Sequence, residues 1–404
     1  MTRYLLKRAL WGLVTLLIFV SIIFFTTQLL LPGDYASQYR LFLSGAEVDA
    51  IRSDLGIDLP LWKQYLNWLG LLARGNLGSS YQGLQVTQIL VSVLPLTLFL
   101  FGLGTMLAFV LGLWLGKSTA WRHSGIYSGA ATFGAIMLYT SFPPWLAFLM
   151  TYFVGRRLHV VRNLFDLESS RILWYESSLS AVSVLWYMVV TIAAMVLILF
   201  ALNQVLQRAS RRRLPITLSI LLLTLAPLAV WYLLGFGPQA MDILLVLALP
   251  MMTFVLLSFG ETLLIVRTSM MDTMQEQYIF TARAKGLREE VVRDKHAARN
   301  ALLPVLSRLV TSLPYLLTGL VIIEYSFGFS RRSGLASLSG SPDSWGGLGS
   351  AMFGALVNQD MLVVMGTLLC VGVMSLAARL FLDILHAFLD PRIRYGNTSA
   401  EKPS

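Results

Sequence analysis

Two stretches, Tyr278-Ile-Phe-Thr-Ala-Arg-Ala-Lys-Gly-Leu287 and Arg299-Asn-Ala-Leu-Leu-Pro304, lie in a chain that is otherwise dominated by long apolar runs. Both belong to a charged segment, 267–304, which separates the apolar windows 243–266 and 305–327. A plain connection between two membrane helices could be far shorter. This segment has helix-forming residues, a glycine break and a proline at the start of the next window. The pattern predicts a short helical element between two membrane spans.

The composition is that of a membrane protein. Hydrophobic residues make up 56% of the chain and charged residues only 13%, against roughly a quarter charged in soluble domains. The net charge of +10 is spread over the ends of the apolar runs, as the positive-inside rule expects, which argues against a nucleic-acid partner. The single Cys370 excludes an intramolecular disulfide, and four scattered histidines predict no metal site.

Long apolar windows predict about eight transmembrane helices and therefore an all-α polytopic fold. The windows are 9–31, 95–116, 130–154, 179–203, 214–236, 243–266, 305–327 and 361–389. An even number of spans puts both termini on one side, and Arg3, Lys7 and Arg8 place that side in the cytosol. The first window is longer than a signal-peptide core and no small-residue cleavage site follows it, so we expect it to be retained.

The region between the first two windows is predicted to be external. An amphipathic helix is expected after Pro60, because apolar residues recur there at helical spacing: Leu61, Tyr65, Trp68, Leu69 and Leu72. This helix could lie on the membrane surface or cover the outer mouth of a pathway, and the sequence leaves both open. Segment 329–350 is rich in Gly and Ser and is interpreted as an external loop.

No motif predicts covalent catalysis or nucleotide binding. The chain has no nucleophile elbow. The run Gly112-Leu-Trp-Leu-Gly116-Lys117-Ser118 approaches a phosphate-binding loop, but it has three residues between its glycines instead of four and no strand before it. Lys117 is therefore interpreted as an interfacial anchor. We expect no enzyme activity and no cofactor on this chain.

Ionisable residues inside apolar windows are costly and suggest functional roles. Glu261 and Glu324 are candidates for a pathway or a gate, although for Glu261 a hydrogen bond to a neighbouring helix is the favoured interpretation. Arg379 and Asp383 lie four residues apart and are predicted to form a local ion pair. A relay of carboxylates across several spans, which proton coupling would need, is not visible in the sequence.

The segment 267–304 predicts a docking element. Tyr278–Lys285 can form two helical turns, and the small Ala282 and Ala284 permit close approach of another protein. Gly286 can end the helix in a left-handed conformation, and Pro304 fits the first turn of the next span. Attraction to anionic lipid would explain the basic residues alone, without these small residues, the glycine or the proline.

A second short helix is predicted to start near Arg288. Glu289 and Glu290 favour the positive end of its dipole. Glu289 and Arg293 would then be i,i+4 partners, worth only a few tenths of a kcal/mol.

The segment resembles the cytoplasmic loop of the membrane subunits of ABC importers, above all the dipeptide, oligopeptide and nickel permeases. The matching stretches are Thr281-Ala-Arg-Ala-Lys-Gly286 and Arg299-Asn-Ala-Leu-Leu-Pro304, whereas Phe280 stands where that branch usually has a charged residue. Further stretches are similar to the family: Arg3–Arg8, Leu31-Pro-Gly-Asp34, Leu55–Pro60, Arg74-Gly-Asn-Leu-Gly78 and Asp390–Tyr395.

The resemblance implies the six-helix core of a type I ABC importer permease plus an inserted helical hairpin. The expected parts are a first helix and external region (1–94), core helices (95–155), the inserted hairpin (156–240), further core helices with the docking loop 267–304 (241–395), and a mobile tail (396–404). About fifteen residues are also inserted after Phe329, before Trp345-Gly-Gly-Leu-Gly349. Gly346 replaces the family's proline there, so we expect an external gate of different shape.

The resemblance also implies partners and site residues. Such subunits pair with a second permease, identical or not, and with two cytosolic ABC ATPase subunits, which carry ATP and Mg, and an external substrate-binding protein in a bacterial or archaeal cytoplasmic membrane. The implied ATPase-docking residues are Tyr278, Thr281, Ala282, Arg283, Ala284, Lys285, Gly286, Arg299, Asn300 and Pro304. The pathway or gate residues are Glu261, Glu324 and Trp345.

Two other functions remain open at this point: an ion-coupled secondary carrier, and a non-transporting membrane scaffold of the same fold. The sequence does not distinguish dipeptides, longer peptides, nickel complexes and sugars as cargo.

Overall fold

The protein, seen in a computed structural model, is helical almost throughout. The structure describes residues 2–30, 42–54, 56, 58–80, 83–122, 125–155, 157, 174, 179–210, 215–329 and 346–389. In this part the helices are α1 (Thr2–Leu30), α2 (Gly45–Asp54), α3 (Leu61–Ala73), α4 (Val86–Trp121), α5 (Ile126–Tyr139), α6 (Pro143–Leu149), α7 (Ala181–Ser210), α8 (Ile216–Leu233), α9 (Gly237–Met274), α10 (Gln277–Ala284), α11 (Glu289–Val291), α12 (Ala298–Phe329), α13 (Leu348–Val357) and α14 (Met361–Leu389). Two π-helical turns, Met150–Gly155 and Val292–Ala297, follow α6 and α11. The predicted all-α fold class is confirmed.

Every predicted apolar window forms helix in the described residues, but not every window forms a simple crossing. Five helices are long and apolar enough to cross a membrane: α1, α4, α7, α9 and α14. Two further pairs of helical segments are each bent at a short break: α5 with α6 and its π-helical turn, and Glu289–Leu309 with Thr311–Phe327. If each pair counts as one span, the number of spans rises to seven. The remaining window, 214–236, forms α8, whose described apolar stretch, Leu221–Leu233, is shorter.

The window 130–154 does not form the single straight helix that its apolarity predicts. α5 ends at Tyr139, α6 starts at Pro143, and the two helix axes differ by 110°. The cause is the proline pair at the start of α6, because proline disfavours the helical conformation in the residue before it. That residue, Phe142, has an extended ψ of 121°.

Helix α12 starts earlier than predicted and is bent. It begins at Ala298, so Pro304 lies inside the helix and not in its first turn, as the sequence had suggested. The preceding π-helical turn runs directly into α12, which moves the helix start away from the proline. The helical segment that ends at Leu309 and the one that begins at Thr311 differ in direction by 56°. Pro314 accounts for it, because a proline ring conflicts with the carbonyl four residues earlier.

The central contact of the structure joins α4 to α9. Small buried residues recur at every fourth position along one face of α4: Gly104, Ala108, Gly112, Gly116 and Ala120. A Cβ atom at Gly112 would lie 2.8 Å from the Phe259 carbonyl oxygen, and one at Gly116 would lie 2.9 Å from the Leu263 carbonyl oxygen. This spacing is typical of membrane helices whose backbones approach closely. The near-match to a phosphate loop is therefore a helix-packing motif.

The amphipathic helix predicted after Pro60 is present as α3. Its Trp68 is buried in a cluster with Phe24 of α1 and Met361 of α14. Its Tyr65 hydroxyl lies 2.7 Å from the Ser21 hydroxyl of α1. α3 is therefore anchored on the C-terminal part of α1 and the N-terminal end of α14.

Helices α7 and α8 form the hairpin within 156–240, and they pack on the core. The Trp186 indole donates to the Val91 carbonyl of α4 at 3.1 Å. The Trp231 indole of α8 donates to the Thr191 hydroxyl of α7 at 2.7 Å. The hairpin thus shares a hydrophobic cluster with α4 and α9. That it is an insertion, like the other domain limits, stays a prediction, and the tail 396–404 lies outside the described residues.

Candidate functional site

The predicted docking helix is present as α10, and Gly286 ends it as expected. Gly286 has a φ of +72°. The Gly286 N–H donates to the Arg283 carbonyl at 2.9 Å, and the Leu287 N–H donates to the Ala282 carbonyl at 3.4 Å. These two bonds form a Schellman motif, in which a left-handed residue satisfies the last carbonyls of a helix. The end of α10 is therefore fixed by its backbone.

One face of α10 is buried inside this chain. Ile279 and Ala282 lie in a cluster with residues of α4, α9, α12 and the second π-helical turn, among them Ala120, Val266, Met270, Val292 and Ala301. Ala282 is only 6% exposed. The expectation that Ala282 lets another protein approach is therefore wrong, because its methyl group packs against the chain's own helices. Its small side chain is part of this buried cluster.

The opposite face of α10 is exposed. Thr281, Ala284 and Lys285 are all on the surface. Phe280 is 58% exposed and Leu287 is 39% exposed. We call Phe280, Thr281, Ala284 and Leu287 the outward face of α10. It places two large apolar side chains, Phe280 and Leu287, beside the smaller Thr281 and Ala284 on the surface.

Ion pairs tie the segment to the end of α4. Lys117 of α4 lies 3.2 Å from Asp294, so it contacts the segment 267–304, and its role as an interfacial anchor stays a prediction. Arg293 bonds the same carboxylate at 2.8 Å. The Arg293 hydrogen bond, with a smaller contribution from Lys117, holds the pKa of Asp294 below its usual value although burial opposes this. The Asp294 carboxylate is therefore charged at neutral pH.

Arg283 pairs with Glu289 across the Gly286 turn. The distance is 3.2 Å, and the Arg283 guanidinium also lies 5.5 Å from the Trp121 ring centre at the end of α4. In place of the predicted i,i+4 pair, Glu289 pairs with Arg283 and Arg293 pairs with Asp294. Arg283 thus holds the turn together.

The two quoted stretches are joined directly. The Asn300 amide donates to the Tyr278 hydroxyl at 2.8 Å. The Ser269 hydroxyl of α9 donates to the Ala301 carbonyl of α12 at 3.0 Å. Arg299 is exposed beside them. α10 is therefore tied to the start of α12, which is in turn tied to α9.

The turn at Gly286 allows a test of backbone conformation alone. No atom lies within 4 Å of a Cβ placed at Gly286, so a side chain there meets no steric obstacle. Valine at a positive φ is expected to cost roughly 1–3 kcal/mol, whereas asparagine adopts this conformation more readily. We expect Gly286→Val to lower both the unfolding temperature and ATP-driven uptake, with Gly286→Asn close to wild type. Equal behaviour of the two variants would contradict the role of this turn.

Glu324, a predicted gate residue, is buried beneath the start of α13. It is 4% exposed, and its carboxylate accepts a hydrogen bond from the Gly349 N–H at 2.9 Å. The adjacent Leu348 N–H donates to the Thr97 hydroxyl of α4 at 2.9 Å. The Glu324 side chain thus satisfies one of the first-turn N–H groups of α13, which have no partner within the helix. Glu324 and Thr97 therefore anchor α13 to α12 and α4. Trp345, another residue predicted for the pathway or gate, lies outside the described residues.

This anchor predicts different effects for two substitutions of Glu324. Glu324→Leu leaves the Gly349 N–H without an acceptor, which should reduce the free energy of unfolding by roughly 1–3 kcal/mol. Glu324→Gln keeps an acceptor oxygen and should lose much less. Thermal unfolding of both variants in detergent measures the difference. A Glu324→Leu variant as stable as wild type would show that the contact carries no stability.

Glu261, the other predicted pathway residue, lies on α9 and is half-buried. Its polar neighbours are Arg308 and Ser312 of α12 and Tyr139 of α5. These contacts agree with the hydrogen-bonding interpretation favoured from the sequence. A role in the pathway stays a prediction.

Comparison with known proteins identifies the class. Residues 197–395 match the family described as binding-protein-dependent transport system inner membrane component, and residues 1–101 match the description of the N-terminal part of such membrane components. A putative peptide permease protein of Brucella suis is 29% identical over 399 residues, covering 98% of this chain and 99% of the relative. The dipeptide transport system permease protein of Lactococcus lactis is 27% identical, covering 98% and 100%. The oligopeptide transport system permease protein of Haemophilus influenzae is 25% identical, covering 98% and 100%.

The described part of the chain is helical and multi-pass, with a short helix, exposed on one side, between two of its spans. The chain belongs to the family of inner membrane components of binding-protein-dependent transport systems. It is the permease subunit of an ABC importer, a multi-pass inner membrane protein with a transport and not a catalytic role.

Proposed function

We propose that this permease carries peptides or similar small solutes. The support comes from relatives that match over nearly their whole length and whose names specify peptide, dipeptide or oligopeptide transport. The comparisons lend no support to an ion-coupled carrier or a non-transporting scaffold. A single permease chain of this kind forms half of a pathway, so a second permease, identical or different, completes it.

The partners in this proposal are two cytosolic ATPase subunits and an external substrate-binding protein. ATP and Mg are bound by the ATPase subunits. The basic residues beside the apolar windows, including Arg3, Lys7 and Arg8, support cytosolic termini and a cytosolic position for α10. The membrane is the cytoplasmic membrane of a bacterium or archaeon.

The observation that carries the docking proposal is the two-sided character of α10. Its inward face is packed on α4, α9 and α12 through Ile279 and Ala282, and its outward face is exposed. The exposed Phe280 and Leu287 supply apolar contact area for an ATPase subunit, and Ala284 permits close approach between them.

This arrangement suggests how nucleotide binding moves the pathway. When ATP closes the ATPase pair, force on α10 passes to α9 and α12 through the buried cluster and the Tyr278–Asn300 contact. Membrane helices that shift between two packed arrangements open the pathway alternately to each side. The differential affinity of the ATPase pair for nucleotide determines which arrangement is populated.

Reconstitution into vesicles tests the proposed function. The permease, its partner permease, the ATPase pair and the binding protein are combined, and uptake of a radiolabelled dipeptide and a labelled hexapeptide is followed. We expect uptake that requires ATP and the binding protein and that persists when an ionophore removes ion gradients. Uptake that follows an ion gradient without ATP would support a carrier, and nucleotide hydrolysis without any stimulation by substrate would support a scaffold.

A further inference from the structure

A cavity whose described lining includes no residue of α10 lies between α1, α12 and α14. Its volume is about 460 Å³, within the range of roughly 300–1,000 Å³ that small-molecule sites occupy. Among the described side chains its lining is mainly apolar, and Arg379 of α14 is the charged residue. Trp11, Thr318 and Ser375 also line it. A single cation in an apolar cavity between membrane helices calls for an anionic ligand with an apolar part.

The depth of Arg379 follows from the antiparallel contact of α1 with α14. A Cβ at Gly12 would meet Leu376, and a Cβ at Gly372 would meet Phe19. Moving along α14 toward its C-terminus therefore means moving along α1 toward its N-terminus. Arg379 falls level with the first apolar residues of α1, just after the basic Arg8 in the sequence. This is the level at which lipid headgroups meet the hydrocarbon.

The surroundings of the cavity are those of a surface that faces hydrocarbon. Leu10, Trp11, Leu13 and Ile18 of α1 are 62%, 60%, 57% and 56% exposed. Tryptophan is enriched at the headgroup level of membranes, so Trp11 marks the same depth as Arg379. The apolar part of a ligand in this cavity would continue into the hydrocarbon beside α1.

We propose that this cavity binds an anionic phospholipid. The Arg379 guanidinium holds the phosphate, and one acyl chain lies in the apolar cavity between α1 and α14. Basic pockets between membrane helices on the cytosolic side bind acidic lipid headgroups in this way. The guanidinium has five donors, so a bond to the predicted partner Asp383, whose side chain lies outside the described residues, is compatible with a bond to phosphate.

The bound lipid would act on the position of α1. In the described residues α1 is held by α14 and by the external helix α3, and at the level of the cavity it has a gap on one side. A lipid in that gap would join α1 to α12, the helix that transmits the motion of α10 in the proposed function. Anionic lipid is therefore expected to increase the stability of the permease.

Lipid retention and thermal unfolding of the whole purified complex test this site. Wild type and Arg379→Gln are titrated with dioleoylphosphatidylglycerol, with dioleoylphosphatidylcholine and with inorganic phosphate, and bound lipid is counted by native mass spectrometry. We expect phosphatidylglycerol to bind and to raise the unfolding temperature of wild type. The concentration for half-maximal effect should rise by about fivefold in Arg379→Gln, the factor expected for one cation at a headgroup.

Two further variants make the test specific. Arg122→Gln removes an exposed cation after α4, outside the cavity, and should respond to phosphatidylglycerol like wild type. Ser375→Phe fills the cavity while keeping Arg379, and should also lose the lipid. The proposal is overturned if Arg379→Gln binds the lipid as wild type does, or if inorganic phosphate alone reproduces the stabilisation. It is also overturned if Arg379→Gln loses the second permease subunit and not the lipid, since the cavity would then be a subunit interface.

Discussion

Replacing Ala284 with arginine is expected to reduce ATP-driven uptake to about 1% of the wild-type rate or less. Ala284 lies on the outward face of α10, where a methyl group is exposed in this chain but would be covered by an ATPase subunit. A charge left unpaired in a buried contact costs roughly 3–5 kcal/mol, which is a loss of more than about a hundredfold in affinity. Co-purification of the ATPase subunits and uptake in vesicles measure the effect.

The control for Ala284→Arg is the same substitution on the other face of the same helix. Ala282 is buried against the chain's own helices, so Ala282→Arg should lower the unfolding temperature of the isolated permease. Ala284→Arg should leave that temperature unchanged. If Ala284→Arg still recovers the ATPase subunits and transports normally, the outward face of α10 is not the docking surface.

Phe280 gives a milder test of the same surface. Its ring is 58% exposed, so Phe280→Ala removes little packing within the permease. Truncating an aromatic residue that is central to an interface costs about 2 kcal/mol or more, a weakening of roughly thirtyfold. An unchanged ATPase affinity would place Phe280 outside the contact.

The second large effect is expected from Gly116→Leu, which should leave little folded permease in the membrane. A Cβ at Gly116 would lie 2.7 Å from the Val266 Cβ and 2.9 Å from the Leu263 carbonyl oxygen of α9. Overpacking a core typically costs about 1–3 kcal/mol, and a contact with backbone costs more because the helices themselves must separate. The amount of protein that elutes as one monodisperse species in detergent is the measurement.

Gly102 provides the matched control on the same helix. No atom lies within 4 Å of a Cβ placed there, and Gly102 is exposed. Gly102→Leu should therefore fold in normal yield, since it also removes a glycine from a helix interior. Similar yields for Gly102→Leu and Gly116→Leu would show that the close contact of α4 with α9 is not needed for folding.

Local chemistry explains what could be predicted from the sequence. Apolar windows give membrane helices because backbone groups in hydrocarbon must bond within their own helix. Gly286 gives a helix end because a residue without Cβ adopts a positive φ at low cost. The amphipathic spacing after Pro60 gives α3. The helix break at Phe142-Pro-Pro also depends on local residues, but the whole window 130–154 is apolar and was therefore predicted as one helix.

The sequence alone did not predict whether each predicted docking residue is buried within the chain or exposed on its surface. Ala282 and Ala284 are identical residues two positions apart, and only the burial of Ala282 in a cluster with other elements of the chain distinguishes them. The sequence predicted a helix with small residues, but it did not predict how the neighbouring spans are placed around that helix. For the same reason the sequence did not reveal that Glu324 anchors α13.

The sequence by itself determined that this protein is a chain of membrane helices with a short helix between two spans, because those features depend on hydropathy and on single-residue conformational preferences. Only the tertiary structure showed which face of α10 is exposed and how α9 packs on the small residues of α4 from Gly104 to Ala120. It also showed that Arg379 lines a cavity together with residues of α1. These depend on contacts between residues far apart in the chain, whose geometry is set by the packing of whole helices.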